Sequence, residues 1–175
     1  MELQKSLVNA AATCLLAGAS ATAMAVDCAN GNLIGLQVDE VVINGQSCYM
    51  EDLIVMGDVT VVDSEDLTMF NVSAAGKIRV IGGGNALLVA NTADGIAVRN
   101  NEYVNLVANA AALNIRVINN LKANVKKNAA PTLLCRENLR LDAFENEARR
   151  DRCRALGGGF DDIGGGNLFD GTANF

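Results

Sequence analysis

Apolar residues along this chain alternate with polar ones in short runs, and the runs recur. Val38, Val55, Val72, Val89, Val107 and Val125 step by 17, 17, 17, 18 and 18 residues. A second column, Val42, Val61, Val80, Val98 and Val117, steps by 19, 19, 18 and 19. Within the runs the period is two: Ile78 and Val80 stand against Arg79, Ile96 and Val98 against Arg99, Ile115 and Val117 against Arg116. That alternation predicts half-buried strands. Several runs close on residues that accept a left-handed backbone, Asn44-Gly45, Gly82-Gly83, Asn100-Asn101 and Asn119-Asn120. A repeat near 18 residues with two strands per period predicts a β-solenoid (parallel β-helix) of five to six short coils, mainly β, over residues 26–131.

Stacking of such coils places Asn91, Asn109 and Asn128 in one column and Asn85, Asn105 and Asn124 in another. Asparagine ladders satisfy side-chain amides between stacked strands; as single residues, the same asparagines read as ordinary turn positions. The two valine columns do not advance together: the offset grows from 4 residues (Val38 to Val42) to 10 (Val107 to Val117). An antiparallel β-sandwich, with strands every 8–12 residues, is therefore the alternative architecture. Over 103–130, Leu106, Ala110, Leu113, Val117 and Leu121 also fit helical spacing; the β-branched residues there speak against helix.

Pro131, the only proline, marks a boundary. Beyond it Leu134, Leu141, Phe144, Ala148 and Ala155 form a stripe at helical spacing, with Arg136, Arg140, Glu145, Arg149, Arg150 and Arg152 elsewhere. This predicts an amphipathic helix within 132–156 that caps the last coil, as stacked repeats require. Residues 157–175 form a tail rich in glycine and phenylalanine.

At the other end, residues 1–25 have the pattern of a bacterial secretory signal: Lys5, an apolar stretch from Leu7 to Ala19, and Ala23-Met24-Ala25 as a small-x-small cleavage site. The apolar stretch is shorter than the roughly 20 residues that span a bilayer, so no transmembrane segment is expected. The chain after it keeps Cys28, Cys48, Cys135 and Cys153, an even number that in an exported protein predicts two disulfides. Local pairing, Cys28 with Cys48 and Cys135 with Cys153, would clip each end; free or otherwise paired thiols are the alternative. A continuous helix between the last two would hold them about 27 Å apart, at roughly 1.5 Å per residue, so their pairing demands flanks that double back. Export implies a secreted or cell-surface location, with the periplasm as a variant.

The net charge of −6 is unevenly spread. Residues 26–75 hold nine acidic groups and no lysine or arginine, whereas 76–135 hold seven basic groups against Asp94 and Glu102. An acidic front half argues against nucleic-acid binding. In a stack it suggests unlike ends: Asp39, Glu40, Glu51 and Asp52 on the acidic side, Arg79, Arg99, Arg116, Lys126 and Lys127 on the basic side.

Candidate chemistry is sparse. The chain has no histidine, which removes Ser-His-Asp and Cys-His catalysis and most catalytic zinc sites. Gly82-Gly83-Gly84 has neither the lysine nor the following helix of a phosphate-binding loop. Acid pairs at 39–40, 51–52 and 65–66 could serve glycoside hydrolysis or calcium, but they stand where no basic residue accompanies them and read as a solvated face. The segment 157–162, GGGFDD, is a single imperfect copy of a calcium-binding nonapeptide. No tryptophan and only Tyr49 and Tyr103 are present, too few for an aromatic sugar or base platform. No cofactor, metal or catalytic residue is implied.

The leader together with asparagine-studded short repeats over 33–128 resembles secreted bacterial β-solenoid surface and matrix proteins, including curlin-like and Fap-like functional amyloid subunits. The chain departs from them in glutamine, limited to Gln4, Gln37 and Gln46. The resemblance implies a non-enzymatic structural protein for surface attachment, extracellular (biofilm) matrix or filament assembly. Its partner would be another copy, meeting head to tail through acidic and basic ends. The alternative is a secreted or periplasmic module that docks another surface protein through the C-terminal helix or the tail.

Overall fold

The structure, a computed structural model, describes residues 25–155. The leader 1–24 and the tail 156–175 lie outside the described residues. Every strand pairing among the described residues is parallel, which excludes the antiparallel sandwich. The chain winds through about seven turns of a three-sided β-solenoid.

On the first face Val41, Val59, Ile78, Ile96 and Ile115 pair rung by rung up to Leu133. On the second, Met50, Met69, Leu88, Leu106, Val125 and Ala143 do the same. The third and shortest face carries Val55, Ala74, Ala93, Ala111 and Ala148 inward. Period-two alternation turns every second side chain into the tube, so these columns stack into one continuous core. Alanine suffices on the third face because the larger side chains of the other two fill the section; its neighbours Ile78, Leu88 and Ile96 are wholly buried. Burial of each large aliphatic side chain contributes roughly 1.5–3 kcal/mol.

Two of the three corners follow one rule. At the first, Gly45, Asp63, Gly82, Asn100, Asn119 and Glu137 adopt positive φ; at the second, Gly35, Asp52, Asn71, Ala90, Ala108, Lys127 and Glu145 do. One left-handed residue redirects the strand without breaking its pairing, so strands Val59–Phe70 and Lys77–Val89 run continuously round the first corner. The triplet Gly82-Gly83-Gly84 is therefore a corner inside a strand. Gly82 takes the left-handed position, and a side chain on Gly83 would run into the backbone carbonyl of Ser64 one rung below.

The C-terminal capping helix is not there: no described residue is helical. Residues 132–155 belong to strands Ala129–Asn138, Arg140–Phe144 and Glu147–Ala155, which add further rungs and raise the coil number above the expected five to six. The apparent helical stripe arises because each corner shifts the phase of alternation. Leu141 points inward from the second face and Ala148 from the third, while Leu134 and Phe144 are half-exposed. Pro131 does not end the domain. It sits exposed at the third corner, skipped by the ladder that pairs Ala130 with Ala148 and Thr132 with Arg150, so its missing N–H costs no bond. The helical reading of 103–130 also falls, to strands Tyr103–Val107, Ala110–Ile118 and Lys122–Lys126.

Both disulfides form as local pairs, Cys28–Cys48 and Cys135–Cys153. No doubling back is needed for the second. Cys135 and Cys153 are register partners on adjacent rungs of the first face, with Cα atoms 4.0 Å apart.

Candidate functional surface

Buried asparagines follow the left-handed residue at both corners. At the second corner Asn91, Asn109, Asn128 and Asn146 stack; at the first, Asn101, Asn120 and Asn138. Asn109 shows the pattern. Its Oδ1 accepts from the backbone N–H of Asn91 (3.0 Å) and from Asn91 Nδ2 (2.9 Å). Its own Nδ2 donates to Leu88 O (2.9 Å) and to Asn128 Oδ1 (3.0 Å). Asn109 thus serves three rungs, with its amide oxygen and both its amide hydrogens satisfied. Of the two expected columns, the one through Asn91, Asn109 and Asn128 forms. The other does so only in part: Asn124 donates to Asn105 Oδ1 at 3.2 Å, but Asn85 pairs with Tyr103 and its amide donates to Asp66.

Of the residues proposed for the two charged ends, Asp39 and Glu40 stand where the first rung passes into the second, and the others lie on the flanks. Glu40 is exposed at the edge of the first face, and Glu51 faces outward on the second. Asp52 and Lys127 are left-handed corner residues, and Lys127 pairs with Glu145 at 3.6 Å. Lys126 lies over the Phe144 ring, 4.5 Å from its centroid. Asp39, near the third corner, is half-buried, and its backbone carbonyl closely approaches Gly57.

Arg79, Arg99 and Arg116 come together, on the outer surface of the first face. Arg79 pairs with Ala97, Ala97 with Arg116, Arg116 with Leu134 and Leu134 with Arg152. One strand position pair further on, Ile81 pairs with Arg99, Arg99 with Ile118 and Ile118 with Arg136. Arginine and aliphatic residues therefore form a checkerboard, one arginine per rung in alternating columns. Like charges in one column stand two rungs apart, about 10 Å, since neighbouring strands lie ~4.8 Å apart. Ala97 leaves a shallow hollow of about 240 Å³ bounded by Arg79, Arg99, Arg116, Ile81 and Ile118.

Arg79 is held by Asp58 at 2.7 Å. The backbone N–H of Lys77 and the Arg79 guanidinium both donate to the Asp58 carboxylate and hold its pKa below the ordinary range. Among the described residues Arg99, Arg116, Arg136 and Arg152 form no ion pair. Arg136 and Arg152 were assigned to a helix from the sequence. The signal that places them was present: the valine column Val80, Val98, Val117 continues at the same step as Cys135 and Cys153.

A second depression, about 610 Å³, follows the alanines of the third face from Thr92 to Arg149. No cluster of three or more potential metal-ligating side chains occurs among the described residues, and no helix there is long and apolar enough to cross a membrane. No protein-family model, curated protein or solved structure matches the chain.

Proposed function

We propose that this chain is an exported, non-enzymatic structural protein of a cell surface or extracellular matrix, assembling end to end. The observation that carries the reading is the strand edge that the last described rung presents. Among the described residues, strand Glu147–Ala155 pairs only with Ala129–Asn138, and Arg140–Phe144 only with Lys122–Lys126. An unpaired parallel edge is a template for another strand. Charge favours the first rung of a second copy as its complement. Residues 25–40 carry Asp27, Asp39 and Glu40 with no basic residue, while Glu147–Ala155 carries four arginines against Glu147 and Asp151. Two disulfides, one near each end, support export to an oxidising compartment. Docking through a C-terminal helix is withdrawn with the helix; the tail lies outside the described residues.

The test is sedimentation and negative-stain microscopy of the mature chain at low and high salt. Oligomers that lengthen at low salt, and disappear in Asp39→Lys/Glu40→Lys, are expected. A chain that stays monomeric at low salt and high concentration overturns the proposal.

A further inference from the structure

We infer that the arginine checkerboard of the first face is a binding surface for a linear acidic polysaccharide of the uronic-acid type. The inference goes beyond end-to-end assembly and does not depend on it, since one molecule carries the whole surface.

The chemistry starts from charge. In the outward columns of this face, Lys77, Arg79, Arg99, Arg116, Arg136, Arg150 and Arg152 follow one another, and no acidic residue occupies those columns beyond Asp58. Arg99, Arg116, Arg136 and Arg152 are exposed and form no ion pair among the described residues. Such a concentration on a chain of net charge −6 points to an anionic partner. Guanidinium groups match carboxylates in a planar, two-pronged geometry.

Spacing narrows the class. An extended β-linked uronate chain presents one carboxylate per sugar, on alternating sides, with a rise close to that of a β rung. The checkerboard presents one arginine per rung, on alternating columns, at ~4.8 Å per rung. Between the arginines Ile81, Ala97, Ile118 and Leu134 offer half-exposed apolar patches and a hollow for the sugar rings. A nucleic-acid strand fits less well. It carries a charge about every 3.4 Å and is gripped by aromatic stacking. The aromatic residues of the strands, Tyr49, Phe70, Tyr103 and Phe144, all belong to the second face.

The probe is a fluorescent β-1,4-linked oligomannuronate, titrated into the full mature chain at about 50 and 200 mM salt, where electrostatic binding separates clearly. Neutral dextran and duplex DNA are run alongside. Binding that weakens with salt, and that falls about tenfold or more in Arg99→Ala/Arg116→Ala/Arg136→Ala, is expected, because each lost guanidinium removes an electrostatic contact. Lys122→Ala/Lys126→Ala, on the second face, should leave it unchanged. The decisive variant, Ala97→Arg/Arg99→Ala, keeps the charge but aligns three arginines in one column; circular dichroism verifies its fold, and its binding should fall with the triple variant's. Equal binding by this variant and the parent overturns the geometric match. Absence of oligomannuronate binding at low salt, or tighter binding of DNA, overturns the ligand class. Loss of self-association without loss of sugar binding in the triple variant would assign the face to a second copy. Binding that appears only after deletion of 157–175 would assign it to the acidic tail.

Discussion

The early and late turns of this solenoid solve the same corner in two ways. At the second corner, Leu53 and Val72 occupy the positions that Asn91, Asn109, Asn128 and Asn146 take further on. The early turns bury aliphatic side chains there, next to Met50 and Met69; the late turns bury amides that bond to neighbouring rungs. The contrast extends outward: acids dominate the early surface, arginines the late first face. An apolar corner resists water through burial alone and tolerates imperfect register. An amide ladder fixes register, because one displaced member leaves its neighbours' donors buried and unpaired. The changeover falls where Val72 N–H donates to Asn91 Oδ1 at 2.9 Å.

The strongest break of this comparison is Asn109→Val. It removes the acceptor of two buried donors of Asn91, at about 1–3 kcal/mol each, so a loss of about 3 kcal/mol or more is expected in denaturant unfolding. Its converse, Val72→Asn, extends the ladder by one member toward the carbonyl of Met50 and should change stability by less than about 1 kcal/mol, roughly one hydrogen bond. If both cost the same, the two corners are not different in kind. The disulfides come next: Cys135→Ala/Cys153→Ala opens an 18-residue loop and should cost about 3 kcal/mol. In a quasi-one-dimensional stack that loss should appear locally, as fast amide exchange over 133–155 with the early turns unaffected.

Smaller effects separate the corners by residue type. Ala108 holds φ of +56° with a Cβ, whereas Asn100 holds +60° with a side chain suited to it. The left-handed conformation costs alanine roughly 1–2 kcal/mol, partly offset by glycine's greater freedom when unfolded. Ala108→Gly should therefore raise the melting temperature, and Asn100→Gly should leave it nearly unchanged. The smallest expected effect is that of pH. Asp58 has a folded pKa below its unfolded value of about 3.9. Its contribution is complete above that value and is lost as pH falls through the folded pKa. Acid titration of the parent should show a modest destabilisation that Asp58→Asn lacks.

The fold was legible where strand register and side-chain type coincide. Val61, Val80, Val98 and Val117 are true partners, one per rung. The other valine column is a mixture. Val38 pairs with Val55 and Val89 with Val107, but Val55 pairs with Ala74, and Val107 with Lys126. The growing offset between columns came from that hopping between faces, and the solenoid itself is regular. The arginine surface was hidden for a related reason. Corner residues offset the period-two pattern, so Arg136 and Arg152 fell into a false helical stripe, although Cys135 and Cys153 continue the valine column beside them.

The third corner has no left-handed column and no asparagine ladder, and between Asp63 and Glu145 it absorbs the variation in the spacing of the left-handed residues. From Asp63 onward the two left-handed columns stay 8 residues apart, as from Asp63 to Asn71 and from Asn100 to Ala108. The register shifts at this corner near Ala93–Gly95 and again between Ala110 and Asn114, whereas past Pro131 it holds until a shift between Cys135 and Asn138 in the last rung. Leu113, the extra residue of the longer coil, is 55% exposed there. This edge can therefore accept inserted loops, epitopes or tags, one per turn, while the same insertion beside Asn109 would turn the following strand inside out. The molecule is in effect a ruler with one writable edge, and foreign sequence placed on that edge would be displayed at intervals set by the rungs.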